Sequence, residues 1–136
     1  MSDILSDNKQ YPNFARSVGT TQLVAKVANH VTKLFGWDRI GIISDKSAVY
    51  LGKARDHEKL HSESGKEAFL FTTSSTSTSI NQAKDLMRMR QILRLLKTKC
   101  RVIFVYMYAP DTRNVLVIAQ EEGMQEGKLS TIASKL

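Results

Sequence analysis

The chain has 136 residues, 42% of them hydrophobic and 24% charged, which is one-domain size and excludes disordered or collagen-like classes. No run approaches the roughly 18 apolar residues of a membrane helix, and the opening MSDILSDNKQ lacks the basic-then-apolar order of a secretory signal. A single cysteine excludes an internal disulfide or zinc framework, while the net charge of +7 invites a phosphate-binding reading.

In chain order, Tyr11-Pro12 opens an extended segment, because the proline ring drives the preceding residue out of helical geometry. Asn13 to Val18 continues it, with Phe14, Arg16 and Val18 on one face, and Gly19-Thr20-Thr21 breaks it. From there Leu23, Val24, Val27, Ala28, Val31, Leu34 and Phe35 fall within an arc of about 140° at helical spacing, predicting a helix that buries this face. Gly36 supplies the stop, Trp37 follows, and Arg39 to Ser44 is a short apolar run with the signature of a buried parallel strand. Gly41 inside it permits close packing. Ala48 to Glu63 reads as a helix interrupted by a glycine, although propensity alone also allows Ala48 to Leu51 as a short strand. Gly65 ends that segment, and Lys66 to Thr73 reads as a second buried strand. The polar tract from Thr72 to Ser79 marks a loop. Between Gln82 and Lys97 a narrow stripe of Leu86, Met89, Leu93 and Leu96, with Ile92 at its edge, predicts a helix packed on a sheet, with Met87 off the stripe. Arg101 to Tyr108 is a nearly continuous apolar strand, as expected where both faces are covered. Pro110 and Asp111 then open a helix whose buried side is Val115, Leu116, Ile118 and Ala119, and Gly123 stops it. The tail from Gln125 is weakly patterned.

Strands alternating with helices require crossover connections, so the fold class is α/β, a parallel sheet in a three-layer αβα arrangement. Such sheets bind ligands at the carboxyl ends of their strands, here Ser44-Asp45, Thr72-Thr73 and Tyr106 to Tyr108. Asp45 suits a cationic group, Ser44 and Thr73 suit polar ligand atoms, and Tyr108 offers an aromatic wall with a hydroxyl. Each also has a plainer reading: Asp45 as a helix cap, Tyr108 as half-buried packing. His57 and His61, four apart on one helical face, have the spacing of a metal pair, but no third ligand pattern accompanies them and a solvated pair is the simpler reading. His30 reads as a surface residue, and Cys100 as a small packing residue at a strand start. Lys84, Arg88, Arg90, Arg94, Lys97, Lys99 and Arg101 concentrate the positive charge on one helix and its exit, flanking its apolar stripe on both sides. A solvated helix face accounts for them, with no nucleic-acid partner expected. There is no P-loop, GxGxxG, GxSxG or phospho-receiver acidic pair, so no enzyme, catalytic residue, cofactor or metal is expected.

Two segments carry a resemblance: YPNFARSVGTT followed by a helix and LFGWDRIGIIS, and ILRLLKTKCRVIFVYMYAPDTRNVLVIAQEEGM from Ile92 to Met124. Together they resemble the extracellular ligand-binding region of receptor guanylyl cyclases and natriuretic peptide receptors, built on the type 1 periplasmic-binding fold. The likeness runs from Tyr11 to Met124 and is weak from Ser47 to Ile80. It implies one partial domain over residues 1–136, part of the second lobe, with residues 11–18 as the segment crossing between lobes. It further implies a peptide or small-molecule ligand, a partner lobe or homodimer, and a place on the extracellular face of the plasma membrane. Any cyclase activity, and the membrane anchor, would lie outside these residues. The alternative is a soluble intracellular α/β module that binds a small molecule, which the lone cysteine and the lack of a signal and of an Asn-x-Ser/Thr sequon would suit.

Overall fold

Four helices and four strands alternate in the computed structural model of the chain, which describes residues 21–75, 82–124 and 130–133. They are α1 (Thr21–Leu34), β1 (Arg39–Asp45), α2 (Ala48–Glu63), β2 (Glu67–Thr73), α3 (Gln82–Lys99), β3 (Val102–Tyr106), α4 (Ala109–Glu121) and β4 (Ser130–Ala133). The extended segment expected at residues 11–18, and the Ser/Thr tract beyond Ser75, lie outside the described residues.

All strands are parallel, in the order β2-β1-β3-β4. Period-two alternation divides the core between the two faces of this sheet. On one face Ile40 and Ile42 of β1 and Val102, Phe104 and Tyr106 of β3 meet Ala54 and Tyr50 of α2 and Val24 and Ala28 of α1. On the other, Ile43, Ile103 and Val105 meet Met89, Leu93 and Leu96 of α3 and Val115, Ile118 and Ala119 of α4. Right-handed crossovers explain the division, since the chain steps from β1 to β2 in one direction and from β2 to β3 to β4 in the other. The expected three-layer αβα arrangement is therefore the observed one. The weakly patterned tail contributes a strand: β4 pairs with β3, which is thereby not an edge strand.

Local chemistry accounts for the boundaries. Gly36 takes the left-handed conformation (φ +64°), and the N–H groups of Gly36 and Trp37 reach back to the carbonyls of Lys33 and Thr32, a tight stop that only glycine adopts cheaply. Gly41 has a packing reason, because a Cβ there would lie 2.9 Å from Cys100 Sγ and 3.0 Å from Leu96 Cδ2. The absent side chain lets α3 seat against β1.

Four expectations are corrected. β2 is not a buried strand: it stands at the edge of the sheet, and of its residues only Thr73 is buried. The apolar arc of α1 is only in part its buried face: Val24, Ala28 and Val31 are half-buried beside the buried Ala25, Asn29 and Thr32, whereas Leu23 is 54% exposed, and Val27, Leu34 and Phe35 are exposed too. Thr32 lies beside His61 of α2, where α1 packs on that helix. Leu116 is exposed on α4, one residue beyond buried Val115. His57 and His61 are not solvated; both are fully buried. The basic surface of α3 is also partly committed. Arg90 bonds Glu121 and Glu122, Arg94 grips Glu122 through two nitrogens, and Lys97 Nζ donates to the Glu122 carbonyl at the carboxyl end of α4. Cations there also oppose the negative end of the helix dipole.

Candidate functional site

In an open parallel sheet, connections that leave two neighbouring strands towards opposite faces open a crevice between their carboxyl ends. Here those strands are β1 and β3. The first runs into α2 on one face and the second into α4 on the other, which places Asp45 to Ser47 opposite Tyr106 to Tyr108. Ser44 is in register with Tyr106 across the junction, and Asp45 with Thr73 of β2.

Sequence reasoning named four residues here, and their geometry differs sharply. The Ser44 hydroxyl donates to the Asp45 carbonyl at 2.8 Å, and the Thr73 hydroxyl donates to the Ser74 carbonyl at 3.3 Å, so both buried side chains serve their own backbone. Asp45 is 3% exposed. Its Oδ1 accepts the Ser47 N–H at 2.8 Å, which holds the entry to α2 as a cap does. Its Oδ2 is buried without a hydrogen-bond partner among the described residues, and so is Ser47 Oγ. Capping therefore accounts for half of this carboxylate. Tyr108, at the N-cap of α4, is 55% exposed, more open than half-buried packing requires. Its ring meets Tyr50 edge to face, with centroids 5.0 Å apart.

Tyr50 was not foreseen as part of this site. It stands in the first turn of α2, where burial first, then the neighbouring Tyr108 and Asp45, push its hydroxyl pKa up. Lys53, one turn on, holds its ammonium over the Tyr50 ring at 5.3 Å from the centroid. On the α4 side the Ser75 hydroxyl donates to Asp111 Oδ2 at 2.7 Å, tying the loop after β2 to the start of that helix. Asp111 is buried. Its first-turn position was legible as a dipole partner, its burial was not.

A second polar group lies beneath α2, away from the crevice. Tyr106 Oη and His57 Nδ1 are 2.9 Å apart, and the His57 ring stands perpendicular to Phe104 with centroids 4.6 Å apart. Whichever tautomer is present, His57 Nε2 has no hydrogen-bond partner among the described residues. Desolvation, then the neighbouring His61, push the His57 pKa down to about 4. His61 lies near Thr32 Oγ1 and the Asp38 carbonyl, at 3.5 and 3.3 Å, and burial lowers its pKa as well. These rings tie α1, α2 and β3 together. Cys100 is buried, and desolvation pushes its thiol up to about 11, the behaviour of a packing residue.

Among the described residues no group of three or more His, Cys, Asp or Glu side chains is placed to hold a metal ion, and no helix is long and apolar enough to cross a membrane. No curated protein matches the chain. The receptor family ligand binding region matches it over residues 1–135, nearly its whole length. A parallel αβα sheet with a crevice at its strand ends, and a match of that extent, lead to one conclusion: the chain belongs to the receptor ligand-binding region family.

Proposed function

We propose that the chain is the ligand-binding segment of a membrane receptor of the guanylyl cyclase type, which senses a peptide or small molecule outside the cell. The observation that carries this reading is the match to the family from residue 1 to residue 135, supported by a parallel sheet in which Asp45 and Tyr108 stand at the carboxyl ends of the neighbouring strands β1 and β3. In this reading the chain forms part of one lobe of a two-lobed region, with residues 11–18 crossing between lobes. Asp45 and Tyr108 touch the ligand, while Ser44 and Thr73 shape the floor. A ligand acts by preferring one inter-lobe or inter-subunit arrangement over another, since it shifts an equilibrium only by its difference in affinity between states. Catalysis belongs to a cyclase domain outside these residues. The exposed apolar side chains Leu23, Val27 and Leu34 of α1, with Phe35 just after it, favour a covering surface such as the other lobe or a second subunit.

Two experiments test this. The reading frames flanking the coding sequence should encode a preceding lobe, then a hydrophobic span followed by kinase-like and cyclase domains; flanks without them overturn the receptor assignment. A ligand screen on the ¹⁵N-labelled chain should give hits that shift the amides of Asp45, Ser47, Thr73 and Tyr108. Hits that map only elsewhere refute the site.

A further inference from the structure

We infer that the outer edge of β2 takes up an extended acidic segment of a partner protein as an added strand, whose carboxylates face Lys84, Arg88 and Lys99 of α3. This surface is separate from the strand ends assigned to the ligand and does not rest on that assignment.

Among the described residues β2 pairs with β1 alone, so one of its two hydrogen-bonding edges has no strand beside it. Its seven residues contain neither proline nor glycine, and Ala68 to Thr72 are half-buried rather than sealed. Unpaired backbone groups along a regular, apolar edge are a template for a further strand. The helix above this edge sets the chemistry of that strand. Lys84, Arg88, Leu95 and Lys99 are all exposed and fall within an arc of about 60° at helical spacing. That arc lies on the β2 flank of α3: Lys99 Nζ stands over the Phe69 ring, 4.9 Å from its centroid, whereas Arg90, Arg94 and Lys97 on the other flank bond Glu121 and Glu122 at the end of α4. Lys84 and Arg88 make no ion pair among the described residues, and Asp85 is the one acidic residue of α3. Because α3 runs back over β2, Arg88 and Lys99 stand about 16 Å apart along it, the rise of about five strand residues. An added strand points every second side chain towards α3, so acidic residues at alternate positions meet both cations. The intervening positions lie beside Ala68 and Leu70 on the opposite face, where apolar side chains extend that half of the core. A basic strand would meet like charge. A second copy of the chain fits worse than an acidic partner, since pairing β2 with itself brings two identical cationic flanks together.

The test titrates the ¹⁵N-labelled full chain with a synthetic, end-capped peptide of the length of β2 in which glutamate alternates with valine, and with its counterpart carrying lysine for glutamate. The acidic peptide should move the amides of Phe69, Leu70 and Phe71 saturably, with affinity roughly ten-fold or more above that of the basic one. Raising the ionic strength should shrink that preference. Arg88→Gln combined with Lys99→Gln, both at exposed positions, should erase it and leave the melting temperature nearly unchanged. Equal affinity of the two peptides, a preference indifferent to salt, or one that survives in the double variant overturns the charge assignment. Shifts confined to α3 overturn strand addition, as does an acidic peptide that moves no amide of β2. Amides of β2 that shift with chain concentration alone place a second copy at this edge and refute the acidic partner.

Discussion

Lowering the pH from about 7.5 to about 5 should destabilise the fold chiefly through His57, because the folded chain accommodates only the neutral imidazole. The ring is fully buried, one nitrogen has no partner, and burial holds its pKa at about 4 against an ordinary 6.5. The unfolded chain therefore takes up a proton as the pH passes 6.5, while the folded chain resists until about 4. Stability from this group is complete above the higher value and lost progressively below it. Each pKa unit is worth about 1.4 kcal/mol, so the full loss is about 3 kcal/mol, of which about 2 kcal/mol has gone by pH 5. That is a large share of the 5–15 kcal/mol typical of a domain. His61, also lowered by burial, adds to the loss in the same direction. Glu122 acts in a separate window. Hydrogen bonds from Arg94 and Arg90 hold its carboxyl at about 2, so its contribution persists down to the ordinary 4.5 and fades only below that. Urea denaturation followed by far-UV circular dichroism, at constant ionic strength and stepped pH, measures the loss. His57→Gln should be weaker at neutral pH, since Tyr106 loses its partner, and should show a smaller fall between pH 6.5 and 5. A flat profile in the wild-type chain, or an equal fall in His57→Gln, refutes the reasoning.

Three further outcomes follow from the same geometry. Gly41→Ala should cost about 1–3 kcal/mol, because its methyl meets Cys100 Sγ and Leu96, and adding Cys100→Ala should recover part of that loss in a denaturation series. Cys100 should resist iodoacetamide in the native chain at neutral pH and react at the model-thiol rate in denaturant; fast native labelling detected by mass spectrometry would contradict its burial. Val27→Lys with Leu34→Lys on the exposed side of α1 should leave the melting temperature nearly unchanged but reduce self-association in sedimentation velocity. A monomeric wild-type chain at high concentration would argue against a covering surface there.

Much of this architecture was legible in the residue pattern. Alternating strand and helix periods predicted the αβα class, α2 runs from Ala48 to Glu63 as read, and Met87 is exposed where the stripe leaves it. Gly36 and Gly123 both take positive φ at helix ends, as stop residues. The strand-end rule put Asp45 and Tyr108 at the carboxyl ends of β1 and β3, where they stand, because it depends only on strand direction. It could not find Tyr50 or Ser47, whose parts come from the way α2 leaves β1, nor the bond between Ser75 and Asp111, which joins residues 36 apart.

What local chemistry determined, then, is the order of the first seven helices and strands and where the helices stop: proline, glycine and periodicity act within a few residues and need no partner. Tertiary structure alone decided which face of α1 is covered, that β4 flanks β3, and that His57 is sealed under α2 against Phe104 and Tyr106. Burial is a property of what arrives from elsewhere in the chain. A histidine or aspartate carries no local sign of whether a distant strand will close over it, as one does over His57.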